Sequence, residues 1–178
     1  MEIVQLHDKT FKKFISNQDI QSSIDDLVSK INSDYNNCCP VFIGVLNGSF
    51  LFCADLVKRF NGNCEIAFIR VASYQGLASS GQVKEILGLT MSLKNRDVII
   101  LEDIVDTGNT LENLMNNLIK ESPKSIKIAT LLYKPGAYKK SFPIDYAAIE
   151  VGNEFLVGYG LDYDGLGRNL KHIYKIES

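Results

Sequence analysis

Residues 98–111 read Val-Ile-Ile-Leu-Glu-Asp-Ile-Val-Asp-Thr-Gly-Asn-Thr-Leu, and no other stretch restricts the fold as much. Val98–Leu101 form a continuous apolar run behind Asp97, the pattern of a strand buried on both faces of a parallel sheet. The run ends in Glu102 and Asp103, a third acid follows at Asp106, and Thr107-Gly108-Asn109-Thr110 makes a turn. Leu111, Leu114, Met115, Leu118 and Ile119 then recur at helical spacing, so a helix is expected to begin near Gly108. Strand, glycine turn and helix start in that order suit a phosphate. Free N–H groups at the helix N-terminus and two hydroxyls can hold one anion. Carboxylates expected just outside the strand's C-terminal end can hold ribose hydroxyls or a hard cation.

Glu102-Asp103 alone would suit a solvated loop or a nucleotide-binding strand end. The full string of acid, acid, two apolar residues, acid, Thr-Gly-x-Thr and helix is far more specific. It resembles the phosphoribosyl-pyrophosphate (PRPP) motif of type I phosphoribosyltransferases. The form Glu-Asp-Ile-Val-Asp-Thr-Gly is most similar to the hypoxanthine-guanine branch.

The chain's 178 residues are read as a single domain, 1–178, long enough to bury roughly 70% of its unfolded surface. A net charge of −2 gives no basic footprint for nucleic acid. No apolar run nears the roughly 18 residues of a membrane helix, and the N-terminus lacks a signal-peptide layout. Cys38, Cys39, Cys53 and Cys64 show no Cys-x-x-Cys spacing, and His7 and His172 are the only histidines, which argues against zinc. Free thiols in a reducing cytoplasm is the expectation.

Ser16-Asn17-Gln18-Asp19 looks like a capping box ahead of an apolar stripe, Ile20, Ile24, Leu27, Val28 and Ile31. Val41–Leu46 suits a buried strand, Asn47-Gly48-Ser49 a turn that needs φ > 0 at Gly48, and Phe50–Phe60 a helix. Such a strand–glycine–helix junction is a second anion nest. Glu65–Val71, Ile126–Tyr133 and Asp145–Val151 are further strand candidates. Gly76 and Gly81 have P-loop spacing, but Gln82-Val83 follows where Lys-Ser/Thr is required, so an NTPase is rejected. Alternating strands and helices imply an α/β domain with a parallel sheet, helices on both faces and a site at the C-terminal strand ends.

The resemblance runs from about Val41 to Ile173 and implies more. Its fold adds a small hood built from the chain ends, about 1–15 and 150–178. Its reaction joins hypoxanthine or guanine to PRPP, giving IMP or GMP and pyrophosphate. Asp106 would be the general base at the purine's N7, and Thr107, Gly108, Asn109 and Thr110 would hold the 5′-phosphate. Leu46, Asn47 and Gly48 form the pyrophosphate loop, where some members carry Lys in place of Asn47, so backbone amides are the expected contacts. Ser73-Tyr74 begin a mobile lid. Lys134 would donate to O6 of a 6-oxopurine, Phe155 would stack on the base, the Leu156 backbone would read the pyrimidine ring edge, and Arg168 would hold pyrophosphate. Asp162, Glu102 and Asp103 would meet Mg2+ and the ribose hydroxyls. Small-molecule substrates, a homodimer or homotetramer, and neither nucleic acid nor membrane complete the expectation. A transferase for another base, such as xanthine, and a non-catalytic PRPP-binding regulator are the alternatives.

Overall fold

The structure is a computed structural model that describes residues 2–70 and 89–177. In chain order the elements are β1 (Ile3–Leu6), β2 (Lys9–Ile15), α1 (Asn17–Asp34), β3 (Val41–Leu46), α2 (Phe50–Val57), β4 (Glu65–Arg70), β5 (Asp97–Val105), α3 (Asn109–Leu118), β6 (Ser125–Tyr133), β7 (Tyr146–Glu150), β8 (Leu156–Val157) and β9 (Ile173–Ile176). Five parallel strands form the main sheet in the spatial order β4-β3-β5-β6-β7.

Successive residues of a strand point to opposite faces, so an unbroken apolar run needs cover on both. That is how β5 is used. Val98 and Ile100 pack with Leu111, Leu114 and Leu118 of α3, while Ile99 and Leu101 pack with residues of α1 and α2. Helices therefore cover both faces. Helix α1 starts where the capping pattern puts it: Ser16 Oγ accepts from the Asp19 N–H at 3.1 Å. Its stripe Ile20, Ile24, Leu27, Val28 and Ile31 is buried.

Two expectations need correction. Helix α2 ends at Val57, not Phe60; Arg59 and Phe60 continue only as a turn, their N–H groups bonding to Leu56 and Val57. Glu102 and Asp103 lie inside β5, which runs to Val105, rather than beyond its end. The reason is pairing. Strand β6 stays in register past the apolar run, with Glu102 opposite Thr130 and Val105 opposite Tyr133, whereas β3 leaves β5 after Leu101. The acids thus sit on a strand with one neighbour, beside the turn that leaves β3. Val71, and Ser73 and Tyr74 with the lid expected to begin there, lie outside the described residues.

The second sheet is antiparallel, ordered β1-β2-β9-β8, and joins the two chain ends around Phe11, Val157 and Tyr174. It is tied to α1 by the Asn17 N–H, which donates to His172 Nδ1 at 2.8 Å, and by Asn17 Nδ2, which donates to the Lys171 carbonyl at 3.1 Å. Among the described residues no helix is long and apolar enough to cross a membrane.

Candidate active site

The C-terminal ends of β3, β5 and β6 lie side by side, and each ends in a polar turn. After β5, Asp106 and Thr107 are exposed and Gly108 is buried with φ +83, in the left-handed region that favours glycine. A Cβ there would press on Tyr138 Cε2 at 2.6 Å and Lys140 Cγ at 2.8 Å. Asn109 and Thr110 then open α3 with exposed side chains. The turn surrounds a cavity of about 90 Å³ whose wall includes Glu102, Asp106, Thr107, Gly108, Asn109 and Thr110. Free N–H groups at the start of α3 and two hydroxyls line one small space, which suits a phosphate.

At the end of β6 the Lys134 N–H still bonds to the Val105 carbonyl at 2.9 Å, so the residue is held as an extension of the strand. A lysine before Pro135-Gly136 would ordinarily be a solvated charge. Here it is buried, 8% exposed, and its Nζ lies 3.0 Å from Asp106 Oδ2. A buried ammonium needs a partner, and Asp106, far more open to solvent, supplies it. Two residues 28 apart in sequence thereby present a donor and an acceptor side by side.

At the end of β3 the Leu46–Asn47 peptide is cis, Asn47 is exposed and Gly48 is buried. Gly48 does not have the positive φ expected of it. Its requirement for glycine is steric: a Cβ would overlap the Asp103 carboxylate. Asp103 thus faces the β3 turn, whereas Glu102 lines the cavity at the α3 start. Burial pushes Asp103 up to about 6, against the pull of the Ile104 N–H that it accepts at 2.9 Å and of Arg168, with Asp162 adding repulsion. Burial also raises Glu102 well above the usual carboxylate range, and the Asp103 charge adds to it. Two carboxylates that ionise at a cost create a demand for positive charge. Among the described residues no three His, Cys, Asp or Glu side chains converge as a closed metal cage, so Glu102, Asp103 and Asp162 do not form one.

The loop between β8 and β9 closes the site. Arg168 Nη2 pairs with Asp162 Oδ1 at 2.6 Å, and Nη1 donates to the Gly160 carbonyl at 2.7 Å. Gly160, with φ +101, lies so close to the Gly48 carbonyl that a Cβ would overlap it. Phe155 is 47% exposed beside Phe11 and Tyr163, with ring centroids at 6.3 and 5.9 Å, and Leu156 is buried behind it. An open aromatic face backed by other rings is a stacking platform. Tyr138 and Lys140, which pack over Gly108, and Gly160, which touches Gly48, were missed in the sequence. Local spacing carries no signal for them, because each matters only through a distant contact.

The phosphoribosyl transferase domain family matches residues 12–164. A hypoxanthine-guanine phosphoribosyltransferase of Bacillus subtilis is 42% identical over 91% of this chain and 91% of its own length. The bifunctional protein TilS/HprT of Listeria innocua is 41% identical over 94% of this chain, which spans only 26% of that longer relative. A crystal structure of a hypoxanthine phosphoribosyltransferase from Staphylococcus aureus superposes with a TM-score of 0.87 at 38% identity, covering 93% of this chain and 91% of that one. The matched span runs from β2 through the Asp106 turn and Lys134 to the Asp162 loop, and on this evidence the chain belongs to the hypoxanthine-guanine phosphoribosyltransferase family.

Proposed function

We propose that the chain transfers the 5-phosphoribosyl group of PRPP to N9 of hypoxanthine, and of guanine, releasing pyrophosphate and IMP or GMP. The observation that carries this reading is the Lys134–Asp106 pair, 3.0 Å apart beside the phosphate turn. N7 and O6 are neighbours on one edge of a 6-oxopurine. An ammonium and a carboxylate side by side complement that edge: Lys134 donates to O6 while Asp106 accepts from N7–H.

Each step then has a residue. As N9 attacks C1′ of the ribose, the C1′–oxygen bond to pyrophosphate breaks and Asp106 takes the N7 proton. Thr107, Gly108, Asn109 and Thr110 hold the 5′-phosphate, several N–H bonds to one dianion outweighing the roughly 0.3–1 kcal/mol of the helix dipole. Asn47 and Gly48 offer backbone amides to pyrophosphate, Arg168 its guanidinium, and Glu102 and Asp103 accept from the ribose hydroxyls. Phe155 stacks on the base, a contact worth about 1–3 kcal/mol in comparable cases, and the Leu156 backbone reads the far ring edge. The donor set fits magnesium, a cation usually held by one or two carboxylates together with substrate phosphates. Asp103 and Asp162 would hold it, and it would supply neutralisation of the leaving group.

Steady-state kcat/KM for PRPP with hypoxanthine, guanine, xanthine, adenine and orotate tests the reading. Hypoxanthine and guanine are expected to lead; a leading rate with adenine or orotate, or no transfer to any base, overturns it. Self-assembly into a homodimer or homotetramer and a cytoplasmic location belong to the same reading, and sedimentation velocity checks the assembly.

A further inference from the structure

The site has a support that the transfer reaction itself does not require. Residues 158–160 take left-handed backbone at three consecutive positions, with φ of +99, +48 and +101. The two outer ones are glycines, and each lets the chain touch other backbone: Gly158 against the His172 carbonyl and Gly160 against the Gly48 carbonyl. The middle residue is Tyr159, a bulky side chain in a conformation that such residues rarely adopt. Its backbone is fixed, the N–H of Tyr159 donating to the Leu170 carbonyl at 2.8 Å and that of Gly160 to the Arg168 carbonyl at 3.0 Å. Its ring, 3% exposed, drops into the core shared with α1 and α2.

The phenol finds a fitted seat there. Its hydroxyl donates to Asp55 Oδ2, and Gln21 Nε2 reaches both that carboxylate oxygen, at 3.0 Å, and the phenol oxygen, at 3.2 Å. Asp55 is braced in turn by Lys58 Nζ at 2.7 Å, and Gln21 Oε1 by Arg59 Nη2 at 2.7 Å. Asp55 belongs to α2, the helix that starts directly after the Asn47–Ser49 turn. Tyr159 therefore connects two things that meet at the pyrophosphate loop. Its own neighbour Gly160 bears on Gly48 and caps the Arg168 guanidinium, while its hydroxyl holds the helix growing out of that same loop.

We propose that Tyr159, anchored on Asp55, is a positioning residue that fixes the Asn47–Gly48 turn and Arg168 relative to each other, so that both can bind one pyrophosphate group. The inference rests on the transferase reading above and concerns the leaving-group side of that site. Among the described residues no hydrogen bond or ion pair joins the Tyr159 network to Phe155 or Lys134, so the base side should be largely spared.

The test is Tyr159→Phe, which keeps the ring and removes the hydroxyl. Expected is a rise of about tenfold in the pyrophosphate product-inhibition constant and in KM for PRPP, the low end for a hydrogen bond to a charged group. KM for hypoxanthine should move less than about twofold, as for sites that share no partners. Asp55→Ala, with the tyrosine intact, should reproduce the same split and serves if the phenylalanine variant does not fold. The wild-type enzyme is the control: without transfer activity the functional reading fails, independently of Tyr159. With an active wild type, equal losses for pyrophosphate, PRPP and hypoxanthine, or no loss for any, would show Tyr159 to be a packing residue and overturn the proposal.

Discussion

Asp106 and Gly48 matter to the site for different physical reasons. Asp106 offers one carboxylate oxygen to Lys134 and stays half-exposed, which leaves the group open to solvent. Asp106→Asn should lower kcat by about 10²–10⁴-fold and leave PRPP affinity nearly intact, because a carboxamide cannot take the N7 proton. Single-turnover rates with PRPP held saturating decide this; a collapse of PRPP affinity at unchanged kcat would make Asp106 a ribose or metal ligand. At Gly48 the constraint is volume. Gly48→Ala pushes a methyl group into Asp103 and should cut kcat/KM for PRPP by about a hundredfold or more, some 3 kcal/mol, as overpacking at a close approach does. Asn47→Ala, at an exposed position whose backbone stays available, should cost less than about 1 kcal/mol of pyrophosphate affinity. Product-inhibition constants for the pair check both, and the reverse order would make the Asn47 amide the ligand.

Among the elements, β5 is the one on which the site hangs, and its lower end is pinned by Asp97. That carboxylate accepts from Ser125 Oγ at 2.7 Å and pairs with Lys124 Nζ at 2.9 Å, which clamps β5 to β6 before the apolar run begins. The Ser125 hydrogen bond and then Lys124 hold Asp97 below its usual range. A depressed carboxylate contributes stability that is present above its unfolded pKa, near 3.9, and is lost as pH falls through the folded value. Asp97→Asn should therefore cost about 1 kcal/mol or less at neutral pH, since Lys124 is largely solvated, and the gap to wild type should begin to narrow below about pH 4 and close as pH falls through the folded value. Urea unfolding at pH 7 and at steps from about pH 4 down to about pH 2 measures it, and a gap that stays constant over those steps would remove the charge from the explanation.

In the molecule as a whole, the small sheet is tied to α1 through His172. Its Nδ1 accepts the first N–H of α1, standing in for a capping side chain supplied from the far end of the chain. His172→Phe keeps a ring but orphans that N–H, and should destabilise the fold by about 1–2 kcal/mol at unchanged urea m-value. An unchanged unfolding midpoint would mean that Asn17 Nδ2 and the Lys171 carbonyl suffice.

Local features were legible in the residues alone. Continuous apolar runs such as Val98–Leu101 read as strands covered on both faces, Ser16 to Asp19 as a cap for the helix behind them, and Thr107 to Thr110 as a glycine turn at a helix start. Those outcomes come from backbone periodicity and from side chains reaching three or four residues. The remaining features are non-local and arise on folding. Register with β6 carries β5 past its apolar run and leaves the acids on a strand, a change that no local pattern encodes. Burial converts Lys134 from a surface charge into half of an ion pair, and the approach of Asp103, not a positive φ, makes Gly48 a glycine. The seat of Tyr159 on Asp55 joins residues 104 apart in the chain. Each depends on two segments meeting in space, and the free energy of such a meeting lies in desolvation and packing between them, which neither segment contains alone.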